Sequence, residues 1–322
     1  MQTSPELINS TESKEYSITR LNKNNLNDLA KLHSDVYGAA VAGNYFPKKY
    51  DTAYTGVENV GFIAYNPNGL PVAYYGVIPC FIQFGSQIIL AAQSADTMTH
   101  PQHRYKGMFM ELSNMTFVLC RELGIRLIFG FPNQNFYRAA INKWGWQIRD
   151  TMDYFTIPVN GFPLEAVLKR FGLRKLYIRY TEYIMKKESV MVTGVANSVL
   201  ADGFAGVCRD DKYLQYKMYS RTKVIKIGDS KVWVSNKHGL LIGDMEGVDE
   251  KNFSAVIEEL KKIAKKAGVR QIQFHCSPGT SLHKLFVKSY KAIKSFPTIF
   301  QDFGSPVSLE KIKFTFADID IF

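Results

Sequence analysis

The chain has 322 residues, enough for two domains of ordinary size, and its apolar content of 46% allows each half to bury a core. The formal net charge of +11 favours an anionic partner, either nucleic acid, a membrane surface or a phosphorylated small molecule. Because the basic residues are scattered, with no Lys/Arg block, zinc spacing or helix-turn-helix signature, nucleic acid is disfavoured.

The sequence shows neither a membrane-spanning segment nor a secretory signal. No run of about 18 apolar residues occurs, and the first thirteen residues are polar. Four cysteines, Cys80, Cys120, Cys208 and Cys276, are widely separated in mostly apolar surroundings. This pattern indicates buried thiols rather than disulfides or a metal site. We therefore expect a soluble, cytoplasmic protein that holds no metal.

The first half is predicted to combine strands with two amphipathic helices. Residues 1–14 are typical of a disordered tail. Leu26, Leu29, Leu32 and Val36 recur at helical spacing, and Gly38 is placed to end that helix. A long loop is expected over residues 39–59. The other predicted elements are strands over residues 60–66, 71–79, 81–84 and 87–92, a segment over 93–99 that leads into a basic turn, a helix over 108–123, a strand over 125–131 and closing strands up to 159.

The second half repeats part of this order after a connector over residues 161–190, which contains an amphipathic basic helix. Strands are predicted over residues 231–235 and 240–244, a helix over 252–267 closed by Gly268, a strand over 269–276 and an alternating final strand over 314–322. Residues 123–126 and 267–270 match as helix end, glycine and strand start. The match indicates an internal duplication.

A basic turn over residues 99–109 precedes the helix that starts at Met108. Such a turn presents free backbone N–H groups and the positive end of the helix to an anion. Arg104 and Lys106 add two side-chain charges that suit a phosphate. The segment therefore predicts a phosphate or pyrophosphate site, unless it is only a basic surface turn that caps a helix.

Arg104 and Gly107 in this turn resemble the acyl-CoA loop of the GNAT family of N-acetyltransferases. The family motif is Arg or Gln, two residues, Gly, one residue, then Gly or Ala, and Phe109 departs from it at the last position. The resemblance covers residues 15–157, and the second half resembles a degenerate copy of the same fold.

The resemblance implies an α/β fold of two tandem GNAT-like domains, each a mixed, mostly antiparallel sheet flanked by helices, the second degenerate. The implied organisation is a catalytic, acyl-CoA-binding domain over residues 15–160, a connector over 161–190 and a second GNAT-like domain over 191–322.

Acyl-CoA is the implied co-substrate. The backbone N–H of Met98 is the natural oxyanion donor in the strand that enters the turn. Asn133 and Asn135 would contact the amide-rich pantetheine arm, unless they form only an Asx turn and a helix cap. The residues expected to bind the co-substrate are Met98, Arg104, Tyr105, Lys106, Gly107, Met108, Phe109, Asn133 and Asn135.

The resemblance marks the catalytic acid and base less clearly. Many family members carry a tyrosine acid four residues before a Gly-Phe pair, but Ile141 stands at that distance from Gly145. Tyr137, one helical turn earlier, is the substitute candidate, unless it only packs or the CoA thiolate leaves without an acid. Asp96 is the first candidate base and His33 the second. The alternatives are a structural ion pair for Asp96, a satisfied histidine for His33, and a base acting through water.

In the second half, the place of the basic turn is taken by an acidic segment containing Asp244, Glu246, Asp249 and Glu250. Four carboxylates within eight residues would repel a pyrophosphate. We therefore predict one CoA site, in the first half.

Residues 130–133 and 314–322 resemble those of two-domain acyltransferases of bacterial surface-polysaccharide synthesis. The resemblance implies transfer of an acyl group to the primary amine of a small substrate, a dTDP- or UDP-linked amino sugar, and a homodimer is compatible with it. Three alternatives stay open: an aminoglycoside or polyamine acceptor, a peptide acceptor with aminoacyl-tRNA as donor, and a non-catalytic CoA-binding module.

Overall fold

The computed structural model describes residues 15–132, 137, 141, 145–162, 164–236 and 239–322. The chain forms two compact units. The first contains the residues up to Pro79 together with Ala92–Ile125, and the second contains Cys80–Ala91 and Arg126–Phe322. The chain therefore leaves the first unit within one strand and returns to it within the next.

The first unit contains four strands in the order β1-β2-β3-β4, with β1, β2 and β3 paired antiparallel. The strands β3 and β4 are long, and the ends joined by their hairpin, residues 80–91, belong to the second unit. Its elements in chain order are β1 (Ser17–Arg20), α1 (Leu26–Tyr37), α2 (Tyr45–Lys49), β2 (Val60–Tyr65), β3 (Pro71–Phe84), β4 (Gln87–Thr99) and α3 (Met108–Glu122).

Helix α1 confirms the predicted first helix. Its buried face consists of Leu26, Leu29 and Leu32, and Gly38 ends it in the left-handed conformation (φ +66°), donating its N–H to the Ser34 carbonyl at 2.8 Å. The prediction of an uninterrupted loop over residues 39–59 is wrong, because this segment contains α2 and a 3-10 turn over Ala53–Thr55.

In the described part of the chain, the second unit contains nine strands. Eight follow the order β5-β13-β6-β12-β11-β10-β9-β7, and the ninth, β8, pairs with the end of β3. Within the described residues of this unit, the neighbouring strands pair antiparallel except β11 with β12, which are parallel. The elements are β5 (Leu127–Gly130), β6 (Gln147–Pro158), α4 (Leu164–Arg170), α5 (Arg174–Glu188), β7 (Ser189–Val190), α6 (Ser198–Ala201), β8 (Gly206–Val207), α7 (Asp211–Lys217), β9 (Thr222–Ile227), β10 (Ser230–Ser235), β11 (Leu240–Glu246), α8 (Phe253–Lys266), β12 (Gln271–Cys276), α9 (Ser281–Ser289) and β13 (Ile293–Asp302).

Helix α8 forms the crossover between the parallel strands β11 and β12, as parallel pairing requires. Its apolar face, including Val256, Leu260 and Ile263, packs in the main core of the unit. Gly268 ends the helix at φ +69°, and a Cβ there would lie 2.5 Å from the Leu164 Cβ. Both the conformation and the close approach of α4 therefore call for glycine. The α/β fold with mixed sheets flanked by helices is confirmed.

The prediction of a final strand over residues 314–322 is wrong. The segment makes a 3-10 turn over Phe316–Asp318, closed by a capping box between Thr315 and Asp318. The Thr315 N–H donates to the Asp318 carboxylate at 2.8 Å, and Arg209 donates to the same carboxylate. A buried carboxylate that collects local and distant donors bends the chain, although the apolar alternation suggested extension.

Burial raises the pKa of all four cysteine thiols. Cys80, Cys120 and Cys276 are buried and Cys208 is half-buried, all as free thiols. Among the described residues, no helix is both long and apolar enough to cross a bilayer.

Candidate active site

The turn between β4 and α3 has a strained backbone. The Nδ1 atom of His100 accepts a hydrogen bond from the Gln102 amide at 3.4 Å, which starts a short 3-10 turn over Pro101–His103. Tyr105 (φ +67°) and Gly107 (φ +80°) then adopt left-handed conformations. Glycine does so freely, but for a residue with a Cβ it costs about 1–2 kcal/mol. The side chain of Tyr105 is fully exposed, so packing does not offset this strain.

The N-terminus of α3 is open to an anion. Gly107 caps the helix without a side-chain hydrogen bond, so no side chain of its own occupies the first amides. Among the described residues, no atom lies within 4 Å of the position that a Cβ on Gly107 would take. First-turn amides and the positive helix end attract phosphate, and the exposed Arg104 lies three residues before the cap. These residues fit the pyrophosphate of acyl-CoA.

Three other predicted binding residues have structural partners in the turn. The Nζ atom of Lys106 lies 2.6 Å from the Glu15 carboxylate and 5.4 Å from the centre of the Tyr16 ring. This pair is exposed, and exposed pairs are weak enough for a phosphate to exchange with the carboxylate. Met108 is buried. The ring of Phe109 packs edge-on against Tyr75 in β3 at 5.3 Å, which anchors the start of α3.

Asp96 in β4 is the centre of a second polar group. It lies in the left-handed region (φ +51°) within a strand, which locally changes the direction of its side chain. Its Oδ2 atom lies 2.7 Å from the Nζ atom of Lys49, whose side chain is fully buried, and accepts a hydrogen bond from the Tyr50 hydroxyl at 3.0 Å. Among the described residues, no group bonds the Oδ1 atom, and the side chain is 15% exposed.

Tyr74 lies beside this group. Its ring meets the Tyr50 ring edge-on at 6.0 Å, and its buried hydroxyl has no hydrogen-bond partner among the described residues. Gly61 and Gly76, paired across β2 and β3, make room for the ring: a Cβ on Gly76 would lie 2.0 Å from the Tyr74 hydroxyl oxygen. Burial raises the pKa of both tyrosines well above the ordinary range. Both hydroxyls therefore stay protonated.

His33 reaches the same aromatic group from α1. Its Nδ1 atom lies 3.0 Å from the Ala39 carbonyl oxygen, so the ring donates a hydrogen bond there. Its ring lies 6.0 Å from that of Phe46, which in turn stacks on Tyr50 at 6.3 Å. The two candidate bases, His33 and Asp96, therefore belong to one continuous cluster.

Tyr37 connects this cluster to the turn. Desolvation and then the negative charge of Asp96 raise its pKa, while the positive charges of Lys49 and Arg104 lower it. The charges of the carboxylate in β4 and of the arginine in the predicted CoA turn therefore both act on the Tyr37 hydroxyl. We call the group formed by Tyr37, Lys49, Tyr50, Tyr74 and Asp96 the β4 cluster.

The remaining predicted residues are placed less completely. Met98 is buried in β4, two residues after Asp96. Tyr137 is half-buried at a helical position. Asn133 and Asn135 lie outside the described residues. Within the described part of the chain, no group of three His, Cys, Asp or Glu side chains could hold a metal.

The carboxylates of the acidic segment in the second half have hydrogen-bond or ion-pair partners. Asp244 is buried against Arg209 at 2.6 Å, Glu246 pairs with Lys231 at 2.6 Å, and Glu250 pairs with Lys288. These three carboxylates are therefore paired with basic side chains, and the prediction that this segment binds no CoA stays a prediction. The Oδ1 atom of Asp249 accepts the N–H groups of Lys251 at 2.9 Å and Asn252 at 3.1 Å. An internal carboxylate takes the amides that would otherwise face an anion.

Sequence reasoning missed Lys49, Tyr50 and Tyr74. The available signal was the density of aromatic residues in the predicted loop, where Phe46 and Tyr50 are four residues apart around a lysine. That spacing is helical, and a lysine on such an apolar helix face is rarely buried without a polar partner.

A family model agrees with this geometry. The model of the acetyltransferase (GNAT) domain matches residues 17–149, which include β4, the open turn and α3. Residues 17–149 are thus similar to a GNAT acetyltransferase domain. This domain type supports acyl transfer from acyl-CoA to an amine. A comparison with curated protein sequences found no match.

Solved structures share the fold at low identity. A GCN5-related N-acetyltransferase from Kribbella flavida has a TM-score of 0.55 at 14% identity, covering 90% of this chain and 73% of that one. A conserved protein of unknown function from Enterococcus faecalis V583 has a TM-score of 0.57 at 11% identity, covering 89% and 72%. A structure from Pyrococcus horikoshii matches 98% of this chain and 96% of its own at a TM-score of 0.52 and 10% identity.

Proposed function

We propose that this GNAT chain transfers an acyl group from acyl-CoA to the primary amine of a nucleotide-linked amino sugar. The observation that carries the transfer chemistry is the continuity of one strand, turn and helix. Strand β4 presents Asp96 with one free carboxylate oxygen and then runs directly into the open turn at Gly107. The carboxylate that would take the amine proton and the turn that would hold the pyrophosphate of acyl-CoA are thus close together in the sequence.

The β4 cluster suits an amine that must lose a proton. Lys49 and Tyr50 hold the Oδ2 atom of Asp96, so the carboxylate has a fixed orientation. Its Oδ1 atom is left to bind the substrate ammonium and accept the proton. The neutral amine then attacks the thioester carbonyl carbon, a C–N bond forms and the C–S bond breaks.

Charge develops on two atoms during this reaction. The Met98 amide, two residues beyond Asp96, is the proposed donor to the carbonyl oxygen as it becomes an oxyanion. The CoA sulfur leaves as a thiolate and gains a proton, either from Tyr137 or from solvent. At the turn, Arg104 and the first amides of α3 hold the pyrophosphate and thereby position the thioester.

The net charge supports a nucleotide-linked acceptor. At +11 the chain attracts polyanions, and acyl-CoA and a dTDP- or UDP-linked sugar both carry a diphosphate. A neutral or cationic acceptor, such as a polyamine, gains nothing from this charge. The tandem division at residue 160 and a single CoA site in the first half remain part of the proposal.

The test is thiol release from acetyl-CoA and longer acyl-CoAs with a panel of amines. The panel contains dTDP- and UDP-linked amino sugars, an aminoglycoside and a polyamine, and an aminoacyl-tRNA assay runs beside it. We expect turnover with a nucleotide-linked amino sugar and its loss in Asp96→Asn. Turnover only with an aminoglycoside or polyamine would overturn the acceptor, and activity only with aminoacyl-tRNA would overturn the donor as well. No turnover, together with no thermal stabilisation by CoA, would overturn the enzyme assignment.

A further inference from the structure

The segment between residues 162 and 192 exposes many large apolar side chains. They belong to α4, α5 and the residues beside them. Single exposed apolar residues are ordinary, but a group of them along one segment marks a surface that something covers. The set is Phe162, Phe171, Leu173, Leu176, Ile178, Tyr180, Tyr183, Met191 and Val192, with Phe162, Phe171 and Tyr183 each more than 60% exposed.

Helix α5 carries apolar residues on two of its faces. Tyr177, Thr181 and Met185, spaced four residues apart, are buried and form the inner face. Leu173, Leu176, Tyr180 and Tyr183 follow at spacings of three, four and three residues, which places them along one adjacent face of the helix. The helix therefore has two apolar rows, of which only one is used by the core.

Basic residues lie beside the outer row. Lys175, Arg179 and Lys186 are exposed, and within the described part of the chain none of them has an ion-pair partner. The acidic residues of the helix are already used: Glu182 pairs with Arg221 at 2.9 Å and Glu188 with Lys266 at 2.9 Å. We call the outer row and these three cations the connector face.

We propose that the connector face binds the surface of an anionic phospholipid bilayer, with α5 lying parallel to it. The apolar row would enter the boundary between headgroups and acyl chains, as amphipathic helices do, and the long basic side chains would reach the phosphates. Tyr183 suits this boundary because its ring is apolar and its hydroxyl is polar, whereas the Tyr180 hydroxyl donates to the Lys266 carbonyl at 2.8 Å. The association is peripheral, since none of the described helices can cross a membrane.

A second copy of the chain fits this surface less well. Two connector faces packed against each other would bring six unpaired cations together, and like charges in a desolvated interface repel. A lipid surface instead supplies the anions that these cations lack. Charge complementarity therefore selects the bilayer.

The test is co-sedimentation of the full chain with vesicles. One set contains only phosphatidylcholine and the other also contains about 30% phosphatidylglycerol, each at about 0.1 M and about 1 M salt. We expect binding to the anionic vesicles that weakens at high salt. Leu176→Ser/Tyr183→Ser should weaken it about tenfold or more, because the row that inserts is removed. Lys175→Gln/Arg179→Gln/Lys186→Gln should weaken binding to anionic vesicles only.

The matched control is Val287→Ser/Ile293→Ser, which removes two apolar residues of 43% and 49% exposure outside the connector face and should bind as wild type. Circular dichroism confirms that each variant is folded. The proposal is overturned if wild type does not bind anionic vesicles, if it binds both vesicle types equally, or if the Leu176→Ser/Tyr183→Ser protein binds as well as wild type. It is also overturned if lipid-free wild type sediments as a dimer and this variant as a monomer.

Discussion

Replacing Lys49 with methionine tests the β4 cluster directly. The substitution keeps the length of an unbranched side chain and removes an ammonium that lies 2.7 Å from Asp96. Removing one partner from a buried ion pair costs about 3–5 kcal/mol, because the other charge is left unpaired. Asp96 keeps 15% exposure and the hydrogen bond from Tyr50, so we expect the lower end, about 3 kcal/mol of unfolding free energy.

Urea unfolding of four proteins measures this value: wild type, Lys49→Met, Asp96→Asn and the double variant. In the double variant no charge is left unpaired, so its loss of stability should be well below the sum of the two single losses. Lys31→Met, at an exposed position on α1, is the control and should stay within about 0.5 kcal/mol of wild type. A loss below about 1 kcal/mol for Lys49→Met, with additive effects in the double variant, would refute the buried pair.

Three further expectations follow from the same structure. Arg104→Gln should raise the KM for acyl-CoA about tenfold or more, since a charged hydrogen bond contributes about 1.5–3 kcal/mol, whereas Lys106→Gln should have a smaller effect; the reverse order in initial-rate assays would contradict the assigned turn. Gly76→Ala should lower the unfolding free energy by about 1–3 kcal/mol by overpacking the Tyr74 ring, and an equal loss in a Tyr74→Ala background would count against that cause. Burial lowers the pKa of His275 to about 4 from an ordinary 6.5, so the unfolded chain binds the proton first, and about 3 kcal/mol of stability should be lost as pH falls from 6.5 to 4. Unfolding of His275→Gln should lack this dependence, and an unchanged pH profile would rule the histidine out as its source.

Local chemistry made much of the first unit predictable. The leucines of α1 and the glycine that ends it interact within a few residues, so their spacing carries the structure. The open turn is similar, because Arg104, Gly107 and the helix that follows are neighbours in sequence. The spacing of apolar residues and the glycines at helix ends predict such short-range contacts well.

The β4 cluster could not be predicted in the same way. Lys49 and Asp96 are 47 positions apart, and only the packing of α2 against the strand brings their charges to 2.7 Å. The strand predicted over residues 314–322 is wrong for a related reason. Asp318 accepts a hydrogen bond from Arg209, which lies more than one hundred positions away in the sequence. The partner of a buried charge can come from any part of the fold, so residue spacing along the sequence does not predict it.

On the predicted internal duplication, Asp249 would be the residue that closes the second copy of the binding loop. A single carboxylate on the loop takes the amides of Lys251 and Asn252 and makes the helix start self-sufficient. On that prediction, a copy of the motif would stop binding an anion and would still keep the hydrogen bonds that stabilise its helix start. The reverse change, Asp249→Gly, would expose the two amides again and offers a short route for engineering a second anion-binding loop into this chain.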